Sequence, residues 1–449
     1  MTIEITGEHT TATVYVDELE ENCEEQIQEI VDHEAFQQPI KIMPDTHWGK
    51  GAVIGFTMPF EDRVVPNTIG VDIGCGMLAR KLDDPFESYT AAEVDEIVRD
   101  VVPMGFDVHD DGDYHLADDF PWDEIQHDWD HFAAQNDIDL PVEYGIDYAD
   151  DLTSVVGYDL TRLINSIGTL GGGNHFIEFS RDHHDDVWVV VHSGSRGIGL
   201  SIANWWQELA TTETSTRKSM DDVPEEYRPY LSDDWKPKAE KIREVFDGEE
   251  IQVMFDELSQ VIQEHGPGTD SRNTDLDWLD ERSIPGYLRD MLFAQRYASE
   301  NRKHMLDLIE QALGVDHHDE IESVHNYIDF EDQIIRKGAT PAREGEFGVV
   351  PFNMADGAVI IKGKGNPTWN HSAPHGAGRV MGRREAHRTL DVEDFEVRME
   401  DVDNFNDKDE ILDESPMAYK DVDPILERMT ETATMVDWLK PVLNIKAED

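Results

Sequence analysis

The apolar positions change period along the chain. Over 284–314, "IPGYLRDMLFAQRYASENRKHMLDLIEQALG", they recur every three or four residues, which predicts a long helix with one apolar stripe. Similar spacing predicts helices over 18–36 and over 90–102, the second with Thr90 as its N-cap. Elsewhere the apolar runs are short or alternate, and glycines break them. "KIMPDTHWGKGAVIGFTMPF", "NTIGVDIGCGMLARKL" and "DVWVVVHSGSRGIG" read as strands ending in Gly-rich breaks. "VVGYDLTRLINSIGTLGGGNHFIEFS" reads as helix, Gly turn and strand. From 320 onward strands dominate, in "SVHNYIDF", "FGVVPFNMADGAVIIKGKGN" and "VDWLKPVLNIKAED".

Two stretches fit this pattern poorly. Residues 107–150 are acidic and lack a clear period, and they are expected to be an irregular surface insertion. Residues 213–282, within a helical and acidic region from 200 to 282, are expected to be a second insertion. Neither a repeat nor a clean linker divides the chain. The expected architecture is α+β, a single large domain over 1–449 with mixed sheets and surrounding helices.

Composition changes the picture in one respect. The 449 residues carry 37 Lys and Arg against 98 Asp and Glu, a net charge of −61. With 10 Trp, 17 Phe and 12 Tyr, such a chain folds instead of staying disordered, and its acidic surface fits a salt-loving cytoplasm. At molar salt the Debye length is about 3 Å, so self-repulsion is screened. Net charge then says little against nucleic-acid binding, and local basic clusters matter more. Two cysteines, Cys23 and Cys75, exclude a disulfide framework. The N-terminus does not read as a signal peptide, and no run of about 18 apolar residues suggests a membrane span. The expected location is cytoplasmic.

Five motifs place a metal-competent side chain where an apolar strand meets a Gly-rich break. They are "VDIGCGM" (Asp72, Cys75), "GGGNHFIE" (Asn174, His175, Glu178), "VVVHSGSRG" (His192, Arg196), "SVHNYID" (His325, Asn326) and "SAPHGAGR" (His375, Arg379). A thiolate, several imidazoles and a carboxylate suit zinc, manganese, iron or cobalt. Asp72 and Cys75 could face one ion, or the sulfur could bridge two. The donors exceed one tetrahedral shell, which favours two ions. Any one of these histidines, taken alone, reads more simply as a hydrogen-bonding core residue. The histidines of "DHHDD" (182–186) and "DHHDE" (316–320) read as exposed loop residues. A basic run over 336–384, with Arg336, Lys337, Arg343, Lys362, Lys364, Arg379, Arg383 and Arg384, suggests a phosphate-binding surface, unless it merely pairs with carboxylates. His375 in that run could attack phosphorus and form a phosphoramidate.

In their order, "VDIGCGM", "GTLGGGNHFIE", "HSGSRGIG", "HNYID", "RKGAT" and "SAPHGAGR" resemble the RtcB family of GTP-dependent RNA-splicing ligases, from about residue 40 to the end. The resemblance implies two manganese ions bridged by Cys75, with Asp72, His192 and His325 on one and His175 on the other. It makes His375 the guanylylated residue and assigns Asn174, Glu178, Asn326, Gly376, Ala377, Gly378 and Lys446 to the nucleotide. Arg196 and Arg379 fall to substrate phosphate, and Asp45 and His47 to the active-site wall. The implied reaction joins an RNA 3′-phosphate, or a 2′,3′-cyclic phosphate after hydrolysis, to a 5′-hydroxyl, in tRNA splicing or RNA repair, with archease as a partner. One segment departs from the family pattern: "VVPFNMADG" (349–357) stands where a small-residue nucleotide contact is usual. Two other functions compete, a metal-dependent phosphodiesterase acting on RNA ends without nucleotide transfer, and a non-catalytic RNA-end binder. A binder has no need of a nucleophile at His375.

Overall fold

The computed structural model describes residues 2–60, 62–110, 114–217, 223–232, 235–246, 249–265 and 274–447. Parts of both expected insertions (111–113, 218–222, 233–234, 247–248 and 266–273) lie outside the described residues. The described chain is α+β, as its alternating periods require. One sheet has six strands, in the order Ile3–Thr6, Thr11–Val14, Ile40–His47, Ile54–Pro59, Ile334–Lys337 and Asn326–Asp329. A second has seven, in the order Phe347–Asn353, Gly357–Gly363, Ala433–Ile445, Phe176–Arg181, Val187–Ser193, Gly76–Leu82 and His317–Val324, with every neighbour antiparallel. The strands Ala339–Pro341 and Ser372–Pro374 form a small ribbon.

The "VWVVVHS" strand, Val187–Ser193, is buried at every position because both faces of its sheet are covered. Val187, Val189 and Val191 face a core with Met305, Leu306 and Ile309 of the Ile284–Leu313 helix. Trp188 and Val190 face a core with Val349, Ile360 and Leu439. The sheet curls until its edge strands meet, and Val349 N donates to Ser323 Oγ at 2.7 Å. Met291, Phe293 and Tyr297, earlier on the long helix, pack in the same core as Phe56, Ile328 and Ile335 of the six-stranded sheet. Among the described residues no helix is long and apolar enough to cross a membrane.

Two expectations need correction. The stretch 107–150 is not irregular: it holds the helix Trp122–Gln135 and the start of Ile146–Val156. Ile125, Trp129 and Phe132 recur at helical spacing and are buried in the main core, a period hidden among acidic neighbours. Strands dominate after 320, as expected, and the helices Arg383–Thr389, Val392–Arg398 and Val422–Met429 lie among them. His317 and His318 are exposed, as expected, but they begin a strand instead of lying in a loop. Thr90 caps its helix as expected: its hydroxyl accepts from Glu93 N, and the Glu93 carboxylate accepts from Thr90 N.

The long helix carries two polar residues where its apolar stripe should continue, between Ala298 and Met305. Asn301 is fully buried and makes five hydrogen bonds. Its Oδ1 accepts from Gly168 N and Thr169 N, while its Nδ2 donates to Thr169 O, Ser193 Oγ and Gly194 O. Arg302, also fully buried, donates to Gly74 O and Ser193 O and pairs with Glu322. Together they hold three Gly-rich loops against one helix. Replacing Asn301 with Ala strands at least two backbone amides and two acceptors in the core. We expect a loss of about 3 kcal/mol or more in urea unfolding. A change at exposed Glu281 should stay within about 0.5 kcal/mol.

Candidate active site

The three clamped loops, together with His325 and the ribbon, place the metal-competent side chains in one spot. Cys75 precedes the strand Gly76–Leu82, and His175 precedes Phe176–Arg181. His192 lies near the end of its strand, opposite both Met77 and Phe176. His325 sits between His317–Val324 and Asn326–Asp329, where the chain passes from one large sheet to the other. Its amide donates to Cys75 O at 2.9 Å, and its carbonyl accepts from Gly338 N at 2.7 Å. A site at such a junction is positioned by both sheets at once.

The donor atoms fall into two overlapping triads. Cys75, His192 and His325 form one, and Asp72, Cys75 and His175 the other, with the ligand atoms of each within 4.8 Å of one another. His175 Nε2 lies 2.9 Å from Asp72 Oδ2, which puts Asp72 in the triad with His175. Cys75 Sγ is 3.2 Å from His192 Nε2 and 3.7 Å from His175 Nε2, so it belongs to both sets. The outer nitrogens are anchored: His175 Nδ1 donates to Leu170 O at 2.8 Å, and His192 Nδ1 to Asn174 O at 3.2 Å. Each Nε2 is thereby presented as a lone pair, the usual arrangement behind a metal-binding imidazole. Burial pushes His192 and His325 well below the usual histidine range, so both are neutral donors. Burial and the Asp72 carboxylate push the Cys75 thiol up, so a cation is what would draw off its proton. The set fits two divalent ions sharing one sulfur.

His375 stands beside this set, its ring 4.9 Å from that of His325. It follows the ribbon strand Ser372–Pro374 and faces the buried Asp45. Its Nδ1 lies 2.6 Å from Asp45 Oδ2, which also accepts from the amides of His375 and Gly376 at 3.1 and 3.2 Å. Three contacts on one carboxylate oxygen fix the ring and leave Nε2 free. Burial lowers neighbouring His47 to about 4, so it too is neutral near pH 7. Asp45 thus lies against His375, and His47 Nδ1 is 3.2 Å from the Asp45 carbonyl.

Next to His375 is a cavity. Of the residues expected at a nucleotide, Asn174, Glu178, Gly376, Ala377 and Lys446 line it. Asn326 and Gly378 do not: Asn326 Oδ1 accepts from Gly338 N, and Gly378 packs on the Asp45 carbonyl. The divergent segment 349–357 supplies Pro351, Phe352, Asn353 and Met354 to the wall, and Asn353 Oδ1 accepts from Ala355 N and Asp356 N in a tight turn. Sequence reasoning missed Phe176, Glu414, Tyr419 and Asn444. Glu414 is one of 98 acidic residues and has no local signal. Burial would raise its carboxyl, but Lys446, Arg383 and Arg379 hold it down to about 2.

The basic run divides. Arg336 is fully buried and paired with Asp329, and Arg343 pairs with Asp329 and Asp332. Lys337, buried and lowered to about 7 by that burial, donates to the Lys50 and Asn67 carbonyls. Lys364 donates to the Thr430 carbonyl, and Lys362 lies over the Phe347 ring. Arg336, Lys337 and Arg343 are thus engaged within the fold, which breaks the expected continuous phosphate surface, while Lys362 and Lys364 stay exposed. Arg379 and Arg383 reach the cavity rim through Glu414. Arg196 opens the helix Arg196–Arg217 with a left-handed φ of 57°, a conformation that costs energy for a side-chain residue. Its Nε donates to Thr169 Oγ1 and its Nη2 to Gly105 O. Gly171, at φ 91°, makes room for it: a Cβ there would lie 2.1 Å from Arg196 Nη1 and 2.6 Å from His175 Nδ1.

Glu178 generates a prediction. Burial raises its carboxyl to about 7, against donation by Ser180 at 2.8 Å and Asn444 at 3.0 Å. The folded chain keeps this proton while the unfolded chain loses it near pH 4.5. The cost of folding therefore grows as pH rises from about 4.5 to 7 and is constant above. Glu178→Gln keeps the shape without the charge. It should stabilise the protein by about 1–3 kcal/mol at pH 8 and leave it unchanged near pH 4, as read by urea unfolding.

Comparison with known proteins agrees with this geometry. The family model described as "tRNA-splicing ligase RtcB" matches residues 26–447. The RNA-splicing ligase RtcB of Escherichia coli K12 is 29% identical over 440 residues, covering 91% of this chain and 90% of the relative. The tRNA-splicing ligase RtcB of Nanoarchaeum equitans is 24% identical, covering 90% and 87%. The RNA-splicing ligase RtcB of Mycobacterium tuberculosis is 25% identical, covering 86% and 91%. With the family model spanning nearly the whole sequence, the chain belongs to the RtcB family.

Proposed function

We propose that this chain is an RNA ligase that joins a 3′-phosphate, or a 2′,3′-cyclic phosphate once opened, to a 5′-hydroxyl through a GMP–histidine intermediate. The observation that carries it is the Asp45–His375 pair set between the donor set and the cavity. With Nδ1 donating to Asp45, the lone pair of His375 Nε2 is available to the α-phosphorus of GTP. The P–N bond forms as pyrophosphate leaves. The RNA 3′-phosphate then takes GMP from His375. The 5′-hydroxyl attacks the activated phosphorus and GMP departs. Asp45 stabilises the imidazolium at each transfer. Cys75 with His192 and His325, and Cys75 with Asp72 and His175, would hold two manganese ions, which would offset phosphate charge and activate a bound hydroxyl.

Guanine is favoured by Glu178. Once ionised it offers two acceptor oxygens, which suit the N1–H and N2–H donors of guanine; adenine presents an acceptor at N1. Lys446 and Arg379, around Glu414, suit nucleotide or RNA phosphates, as does Arg196 beside His175. Archease would act as a partner that renews the guanylylated state. A surface of this charge suits a salt-rich cytoplasm, and whether the RNA comes from tRNA splicing or repair, the chemistry is the same.

The protein incubated with α-labelled GTP and manganese should acquire an acid-labile label that His375→Ala abolishes. Absence of label with both GTP and ATP, with metal bound, would instead favour hydrolysis of RNA ends. Metal analysis should give about two ions per chain in the wild type and in His375→Ala, and fewer than one in Cys75→Ser, because the shared sulfur serves both triads. Ligation should rise with KCl to beyond ~1 M, where the Debye length falls to about 3 Å, and full activity at ~0.1 M would contradict the salt-adapted reading.

A further inference from the structure

We infer that the ring of Phe106 is a stacking platform for a base of the RNA end, an assignment that rests on the RNA-ligase reading. Phe106 is 86 % exposed, more than any other large apolar side chain among the described residues. A single exposed apolar residue is ordinary on a protein surface. This one is held differently. Its backbone is pinned on both sides: Gly105 N donates to Gly171 O at 3.0 Å and Asp107 N to Met104 O at 3.1 Å. The Gly105 carbonyl accepts from Arg196 Nη2 at 2.7 Å, and the Phe106 carbonyl accepts from Arg162 Nη2 at 2.9 Å. Two guanidinium groups thus grip consecutive carbonyls, and the ring between them points into solvent. Arg196 in turn packs against Gly171 beside His175, a donor of the second triad. An exposed aromatic ring on a pinned backbone is thus presented one residue from a carbonyl held by Arg196.

The chemistry of single-stranded RNA matches this arrangement. Its phosphates pair with guanidinium groups and its unstacked bases lie on aromatic rings. Charge makes the ring more useful here. A chain of net charge −61 repels RNA at long range, and high salt weakens each phosphate contact. Asp107, exposed beside the ring, adds to that repulsion. Stacking is short-ranged and carries no net charge, so it survives both. A base on Phe106 would let the neighbouring phosphate approach Arg196 and so hold the terminus near His175.

The test measures binding of a fluorescein-labelled RNA of about ten nucleotides ending in a 3′-phosphate, against the same RNA with abasic sites at its last positions, in high salt. The proteins are wild type, Phe106→Ala, Phe106→Leu and Phe106→Trp. Expected is an increase of about 5- to 100-fold in Kd for intact RNA in the Ala and Leu variants and near-wild-type binding by the Trp variant. The Ala variant should bind abasic RNA no worse than the wild type does. Equal losses on intact and abasic RNA would make Phe106 merely structural and overturn the proposal. So would unchanged RNA binding in Phe106→Ala, including the case where that variant instead dissolves a dimer. Labelling of His375 by GTP, measured in parallel, should be untouched in all four proteins. Selective loss of binding without any ligation by the wild type would sink the ligase reading and keep the platform. Ligation with binding indifferent to Phe106 would do the reverse.

Discussion

The site depends on a polar clamp inside the core. Asn301 and Arg302, on the Ile284–Leu313 helix, satisfy the backbone of the loops around Gly74, Gly168–Thr169 and Ser193–Gly194. Those loops carry Asp72 and Cys75, His175, and His192. Gly-rich segments can take up the sharp turns the donors need, but they contribute little packing of their own and leave amides and carbonyls to be paired. A buried polar pair hydrogen-bonded to all three loops supplies what the glycines lack. It also explains why the helix interrupts its apolar stripe at this point. The arrangement is rigid because an unmet buried group would be costly, so each loop has one satisfied position.

The second constraint is electrostatic. In a chain with 98 carboxylates, the active site confines a few of them and gives each a fixed partner. Asp45 holds His375, Glu414 is surrounded by Lys446, Arg379 and Arg383, and Asp72 meets His175. Glu178, by contrast, is buried with neutral donors and keeps its proton to about 7. These four carboxylates lie in different surroundings: one orients an imidazole, one gathers cations, one belongs to a metal-competent triad and one faces a cavity. Burial raises the Asp72, Glu178 and Glu414 carboxyls; His175 reverses this at Asp72, Lys446 with Arg383 and Arg379 reverses it at Glu414, and the donors at Glu178 do not.

Much of the site is legible in the linear sequence. Cysteine and histidine at strand ends next to glycine form a local pattern, and it marks Asp72, Cys75, His175, His192, His325 and His375. Asp45 lies in a recognisable motif, "MPDTHWGKG", although nothing in the sequence shows that it meets a histidine 330 residues away. Glu414, Tyr419 and Asn444 carry no local signal at all. The basic run over 336–384 misleads, because Arg336 and Lys337 lie on a buried strand whose carboxylate and carbonyl partners include groups from elsewhere in the chain. The helix in 107–150 is hidden because acidic residues between Ile125, Trp129 and Phe132 obscure the period.

By itself, then, the sequence determined the long helix and the strands that carry the donors, the α+β class and the identity of the donor atoms, since periodicity and side-chain chemistry are local properties. Tertiary structure alone decided how those donors divide between two triads, which cations face the cavity and which are consumed by the core, and which carboxylate holds His375. Those are matters of distance between segments far apart in the chain. They depend on the curl of one sheet, the junction at His325 and the clamp on the long helix, none of which a linear pattern records.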